Sequence, residues 1–428
     1  MALGGGTFIV QNKILGGAYF QFLSAQKSTA TIGDRGVGAL ALDLNWGVEN
    51  NIFTVEATDF IRDSMDIFGY DYSADEMQSI REIFAHAQTV HFYRLNGNGE
   101  KASNAFATAK YSGTRGNDLK IVIAKNVDDD TQFDVSVYVG TTIVSTQTAK
   151  SADQLVDTDF VIWKDDAELT VTAGEPLTGG TNGTSDTTSH QAFLNKLEAF
   201  PDTNAVGYFG DEETVKGLYC NWAKRMRDEI GIYLQAVVYN KAFDNISVVN
   251  VKNSVDLVPW VTGVIAGTAV NKSCTNMVYD GELTVNTDYT QKQLENAIKA
   301  GEFVLHRVGD DVRVLEDINS FISITDEYGE VFCDNQTIRI IDEIATSIAK
   351  VFCTKYLGKV PNDVNGRISL WSDVCSICRQ LADIRALENF DSDDVKVEQG
   401  DTKKSVLINA GVTVVNTMVK LYMKTIIA

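Results

Sequence analysis

The spacing of hydrophobic positions changes several times along this chain, and each change marks a region. Ile80, Ile83, Phe84 and Ala87 keep helical spacing, and Val90 to Leu95 then reads as a strand closed by the turn Asn96-Gly97-Asn98-Gly99. Between 110 and 185 the period drops to two. Leu119, Ile121 and Ile123, then Phe133, Val135, Val137 and Val139, alternate with polar residues, the mark of half-buried strands. Gly-Thr-Asn-Gly-Thr-Ser at 180–185 reads as a linker that closes this stretch.

Helix and strand patterns alternate again over 186–318. Ala205 to Phe209 is a short apolar strand, and Asp211 is placed to cap the helix whose face carries Val215, Leu218, Tyr219, Trp222 and Met226. Ile232 to Tyr239 is a second apolar strand, so this β-α-β order implies a parallel pair with a right-handed crossover. Ile246 to Val251 reads as a third strand. A short helix around Leu294, Ala297 and Ile298 leads to Phe303-Val304-Leu305, which the turn Gly309-Asp310-Asp311 folds into a hairpin with Val312 to Leu315. Ile338, Ile341, Ile344, Ala345, Ile348, Val351 and Phe352 then mark a long amphipathic helix over 335–357, ended by Gly358 and Pro361, and a second helix is expected over Ser369 to Leu387.

Two apolar runs have no local partner. Thr7, Phe8, Ile9 and Val10 lie between Gly4-Gly5-Gly6 and Gly16-Gly17; Val419, Leu421, Met423 and Ile427 alternate with Lys420, Tyr422 and Lys424 at the other end. Both read as strands that must pair with something distant or with another chain. The expected architecture is a multidomain α+β / α/β protein. An α/β core domain carries an inserted β-sandwich-like domain and is followed by an α+β C-terminal domain, with strand arms at both termini. The expected boundaries are an arm at 1–20, an α/β domain at 21–109, the β insert at 110–185, a second α/β domain at 186–318, a C-terminal domain at 319–411 and an arm at 412–428.

Composition narrows the function. The chain has 428 residues, enough for two to four domains, and 44% are hydrophobic, so a proper core is available. Its 37 basic and 58 acidic residues give a net charge of −21, which disfavours nucleic acid and anionic membranes as partners. Residues 126–175 alone hold eleven acidic residues against two lysines. The longest apolar stretch, Trp260 to Val270, is about half of what a spanning helix needs, so no direct membrane insertion is expected. The opening Met-Ala-Leu-Gly-Gly-Gly has neither the basic nor the apolar segment of a secretory signal. That argues against a secreted adhesin. All six cysteines lie at or beyond Cys220 and are expected as reduced thiols.

Site chemistry is sparse. The loop Gly210-Asp211-Glu212-Glu213 has no phosphate-binding glycine fingerprint, and its three carboxylates would repel a phosphate. His86, His91, His190 and His306 fall in no zinc motif, and His306 reads as a packed or edge residue. Cys375 and Cys378 share a helix face, but no second ligand pair accompanies them, so two packed thiols are expected rather than a metal site. Asp128-Asp129-Asp130 lacks the spacing of a calcium loop. No catalytic, cofactor or metal site is expected, although an α/β enzyme with an unrecognised active site is the alternative reading.

Several segments resemble contractile tail sheath proteins of Gram-positive myophages and phage-tail-like bacteriocins. They are Gly4-Gly5-Gly6-Thr7-Phe8, Tyr111-Ser112-Gly113-Thr114-Arg115-Gly116-Asn117-Asp118-Leu119-Lys120, Trp260-Val261-Thr262-Gly263 and Asn276-Met277-Val278-Tyr279-Asp280-Gly281. The helical 335–390 region and the terminal strand resemble that family's C-terminal domain. The departure is Leu15-Gly16-Gly17, where the family pattern has proline after the leucine.

The resemblance implies a homo-oligomer of six-fold rings stacked helically around an inner tail tube protein, contacting baseplate and tail terminator proteins. It implies a non-catalytic, subtilisin-like fold for 186–318 and terminal arms that add strands to neighbouring subunits. It also implies assembly in the bacterial cytoplasm as part of a virion tail or a released tail-like particle, and contraction from a metastable extended state without ATP. The C-terminal domain would lie next to the tube, which makes Arg339, Asp342, Glu343 and Lys350 the tube-facing candidates.

Overall fold

The computed structural model describes residues 35–427. Thr7, Phe8, Ile9 and Val10 lie outside the described residues.

The described residues begin with β1 (Val37–Leu42), β2 (Ile52–Glu56), α1 (Ala57–Phe68), α2 (Gln78–Phe84) and β3 (Thr89–Arg94). It then enters an insert made of β4 (Ala107–Ala109), β5 (Leu119–Lys125), β6 (Phe133–Val139), β7 (Thr142–Ala149), β8 (Val161–Trp163) and β9 (Thr172–Pro176). The α/β pattern resumes with α3 (Thr187–Leu197), β10 (Ala205–Gly207), α4 (Glu213–Arg225), β11 (Gln235–Tyr239), β12 (Val248–Val251), α5 (Val258–Gly267), α6 (Gln291–Lys299) and β13 (Glu302–Phe303). The hairpin β14 (Leu305–Val308) and β15 (Asp311–Val314) follows. Last come α7 (Asn335–Val351), α8 (Val364–Asp383), β16 (Leu387–Glu388), β17 (Val395–Gln399), β18 (Val406–Ala410) and β19 (Thr413–Val414).

The segments expected as separate α/β domains at 21–109 and 186–318 are one unit in the structure. They share a seven-stranded sheet of order β13-β12-β11-β10-β1-β3-β2, parallel except for β2. The join is the parallel pair β1–β10, where Ala39 lies opposite Val206. Alternation sorts the two faces: Ala39 and Ala41 pack with α3 and α4, whereas Leu40 and Leu42 pack with α1 and α2. Helix α5, the most apolar stretch of the sequence, has nine of its ten residues buried between the sheet and α2. A Cβ at Gly263 would stand 2.3 Å from the Ile83 carbonyl oxygen, so this close helix contact admits only glycine. No helix among the described residues is long and apolar enough to cross a membrane.

The insert is a four-stranded antiparallel sheet of order β7-β6-β5-β9 beside the β4–β8 pair, around a core that includes Ile121, Val135, Val137, Phe160 and Trp163. The outcome differs from expectation at its borders. Ser103 already bridges to Thr178, so the insert begins before 110. The 180–185 stretch is no free linker, because Thr181 and Gly183 donate their amides to the Glu100 and Asn96 carbonyls. The entering and leaving strands pass so closely that a Cβ on Gly99 would stand 1.9 Å from the Thr181 oxygen. Glycine serves backbone approach here, not flexibility.

Helices α7 and α8 pack with the β16–β19 and β17–β18 pairs into a separate core around Ile340, Leu370, Val374, Ile377 and Leu381. Helix α8 starts at Val364, earlier than expected, because Asp363 accepts from the Gly366 amide as its N-cap. Asp211 is not the cap of α4. Glu212 takes that position, and Asp211 instead pairs with Lys216 at 2.5 Å.

Candidate assembly surfaces

The C-terminal segment leaves the body at a well-defined point. β19 pairs with β16, and the Val415 amide donates to the Ala386 carbonyl. Gln336, in the first turn of α7, then holds the backbone on both sides of Asn416. Its Nε2 donates to the Val415 carbonyl at 3.1 Å and its Oε1 accepts from the Thr417 amide at 3.0 Å. Asn416 donates to Asp334 Oδ2 at 2.7 Å. Burial pushes the Asp334 carboxyl up to about 6, with the nearby Asp317, Glu316 and Glu330 charges adding to the rise and the Asn416 hydrogen bond opposing it. Beyond Thr417 no strand forms within the described residues. The strand expected over Val419, Leu421, Met423 and Ile427 does not form among the described residues, where no other strand pairs with this segment. Leu421, Met423 and Ile427 are 92%, 82% and 92% exposed. Contiguous exposed apolar side chains are a common feature of interaction sites. A groove of about 600 Å³ flanks the root of this segment, lined in part by Phe321, Ile322, Ile324, Val331, Val419 and Lys420.

The tube-facing candidates on α7 separate into two kinds. Arg339 is buried and paired with the buried Asp317, which also accepts from Asn335. Burial raises the Asp317 carboxyl, but Arg339 and its hydrogen bonds carry it net below the ordinary carboxylate range. Asp342 is buried against Arg227, and Glu343 is buried and accepts from Ser347 at 2.8 Å. Arg339 and Asp342 thus tie α7 to the α/β body, while the Glu343–Ser347 bond lies within α7, and all three side chains are buried. Lys350 is exposed.

The pair β17–β18 is a two-stranded sheet whose outer edges are unpaired among the described residues. Val397, Val406 and Ile408 pack on the α7–α8 core, and Trp371 Nε1 donates to the Val395 carbonyl. Between the free edge of β17 and the start of α8 lies an open groove of about 620 Å³, with Val364 and Ile368 largely exposed along it. An unpaired edge beside an apolar floor is the geometry that accepts an added strand.

The insert is seated on the core by the Tyr111–Lys120 segment, one of those that carried the resemblance. The buried Arg94 donates to the Ser112 carbonyl at 2.9 Å. Gly113, at φ 126°, passes so near Asn45 that a Cβ would lie 2.1 Å from its carbonyl oxygen. Arg115 donates to the Gly69 carbonyl at 2.7 Å and lies 4.2 Å from the Tyr70 ring centre. Asn117 exchanges hydrogen bonds with the Gly180 backbone at 2.8 Å each. Those residue types serve a junction, and no periodicity signals it.

At the carboxyl ends of β1 and β10, where strand order reverses, lies a crevice of about 480 Å³ lined by Asp43, Ser185, Asp186, His190, Tyr208 and Glu212. This is the usual ligand position in open α/β sheets. Ser185 donates to Asp43 at 2.9 Å, while His190 Nδ1 meets the Tyr219 hydroxyl at 3.0 Å. Burial lowers the His190 pKa. His306 lies on the β14–β15 hairpin opposite Arg313. Cys375 and Cys378 are buried free thiols in α8; burial raises both, Cys378 to about 11.

Consecutive stretches match four described families. Residues 35–95 match the tail sheath protein Gp18 domain III N-terminal region, and 96–182 the phage tail sheath protein beta-sandwich domain. Residues 183–320 match the phage tail sheath protein central domain, and 327–428 the phage tail sheath C-terminal domain. A sheath tail protein of Desulfitobacterium hafniense is 32% identical, with a TM-score of 0.83 over 95% of this chain and 99% of that one. The phage-like element PBSX protein XkdK of Bacillus subtilis is 26% identical over 98% of this chain and 99% of its own length. The helical sheath of the anti-feeding prophage in its contracted state shares the fold, with a TM-score of 0.59 at 12% identity over 96% of this chain and 99% of that one.

Proposed function

The chain belongs to the phage tail sheath protein family and is a structural sheath subunit, and from that premise we propose that it polymerises as stacked six-fold rings around an inner tail tube. The contact that propagates the polymer is strand addition. The C-terminal arm of one subunit, through Val419, Leu421, Met423 and Ile427, pairs with the open edge of β17 on a neighbour and lays its apolar face on Val364 and Ile368. Thr7, Phe8, Ile9 and Val10 form the second arm of the same mesh. The observation that carries this reading is the apolar segment after Thr417, which forms no strand among the described residues and leaves Leu421, Met423 and Ile427 almost fully exposed.

Contraction follows from two packings of the same folded bodies, with the contracted one lower in free energy. The body must stay rigid while the arms act as tethers. The buried Arg339–Asp317 and Arg227–Asp342 pairs support such rigidity by fixing α7 to the α/β domain. Lys350 remains the tube-facing candidate, since its side chain is exposed. The acidic insert sits outermost, where its charge keeps a long polymer soluble. Assembly takes place in the bacterial cytoplasm, with baseplate and tail terminator proteins at the two ends, and the product is a virion tail or a tail-like particle that drives its tube through a target envelope.

Negative-stain microscopy of the purified protein tests this. Striated tubes with six-fold end views are expected. Compact particles of one or two subunits across salt and concentration would overturn it.

A further inference from the structure

Gln336 and Asn416 do more than finish a fold. We propose that they are positioning residues that moor the root of the C-terminal arm and thereby fix its register and reach on the neighbouring subunit, an inference that rests on the strand-addition reading above.

The argument starts from the sharpness of the boundary. Gln336 is 3% exposed, yet its amide is spent on backbone groups of Val415 and Thr417. A side-chain amide that accepts one N–H and donates to the C=O two residues earlier imitates a neighbouring strand. It therefore imposes extended geometry on 415–417 and fixes which way residue 416 points. Asn416 faces inward, toward Asp334 and the Thr337 hydroxyl. Immediately beyond, Met418 is fully exposed.

The mooring thus sets a phase. With the direction of 416 fixed, strand alternation dictates which of the following residues share a face. It also fixes where the arm starts: the described residues beyond the clamp, 418–427, span roughly 33 Å when extended. The first described residue, Arg35, is held by the α/β body. Arg35 donates to the Ile265 and Thr268 carbonyls at the end of α5. Burial lowers the Arg35 pKa to about 10, and Arg339 adds to the fall while Asp342, Glu343 and Asp317 oppose it, which sets the first described residue beside the first half of α7.

Insertions directly after Thr417 test the inference, because they leave the body and the clamp intact. One added serine turns the apolar face of the arm the wrong way, and sheath yield is expected to fall at least ~tenfold. Two added residues, Ser-Thr, restore the facing and lengthen the arm by only about 7 Å, so yield should return to within about threefold of wild type. Equal behaviour of the two insertions, whether tolerated or not, would overturn the register role. Truncation after Thr417 separates this from the strand-addition reading itself. Normal sheaths from the truncated chain would defeat that reading, whereas lost sheaths with equal insertions would defeat only the mooring. Amide hydrogen exchange on the isolated subunit gives a second readout. Thr417 should be protected relative to Val419–Ile426, and Gln336→Ala should erase that protection. Unprotected Thr417 in the wild-type subunit would overturn the proposal.

Discussion

Arg227 holds Asp342 in a fork, Nη1 and Nη2 each donating to one carboxylate oxygen at 2.6 Å across 115 residues of sequence. Both side chains are at most one-tenth exposed, so the pair works in a low-dielectric junction between the end of α4 and α7. Asp342→Ala leaves a buried guanidinium without its partner and should cost about 3–5 kcal/mol. Replacing both, Arg227→Met with Asp342→Leu, should recover most of that loss. Urea unfolding of the isolated subunit checks both; a double variant as unstable as the single one would contradict the assignment.

The insert should be dispensable for polymerisation. The structure moves the cut inward from 110–185: residues 96–100 and 181–183 hydrogen-bond to each other and should be kept. Replacing 101–180 by a short Gly-Ser link deprives Arg94 of the Ser112 carbonyl, so the melting temperature should fall while tubes still form. Loss of tubes from a folded, soluble variant would assign the insert a place in the lattice.

Asp334 gives a pH signature. Its carboxyl is raised from 3.8 to about 6, chiefly by burial. The folded state therefore holds this proton more tightly than the unfolded one. Folding gains nothing from the ionised form, and the penalty grows as pH rises from about 4 to 6 and persists above. Asp334→Asn keeps an oxygen for Asn416 and removes the charge. The gap in melting temperature between variant and wild type should be least near pH 4 and widen in the variant's favour up to about pH 7. A gap independent of pH would refute the shift.

Thiol reactivity should divide by burial. Cys220, Cys274, Cys375 and Cys378 are buried, Cys333 is half-buried and Cys353 is exposed. Burial pushes the Cys220 thiol up to about 12. One thiol should react quickly with a thiol reagent in the native subunit, and all six in denaturant. Elemental analysis should find no stoichiometric zinc or iron; a metal bound at Cys375 and Cys378 would show as a chelator-sensitive equivalent.

What the sequence made legible was whatever repeats at short range. Period-two runs at 119–139 became β5 and β6, the apolar-helical-apolar order at 205–239 became the parallel pair β10–β11, and the stripe from Ile338 to Val351 became α7. The misses are long-range. Arg339 and Asp342 read as outward, tube-facing residues because their partners stand 22 and 115 residues away. Gly180 and Gly183 looked like a linker because the backbones they touch belong to the distant 96–113 region. The α/β stretches before and after the insert looked like two domains because nothing local announces that β10 pairs with β1. The terminal alternation of Leu421 and Met423 records a preference for strand, but a ladder requires a partner, and the described residues supply none for this segment.

The most direct measurement is thermal unfolding and tube formation, taken together, for Leu421→Pro. Leu421 is almost fully exposed, so the subunit should not depend on it. Proline removes one backbone donor and fixes φ at mid-arm, which disrupts any added strand. The account predicts a soluble variant with the wild-type melting temperature and no sheath. A sharp loss of subunit stability, or tubes of normal length, would contradict it.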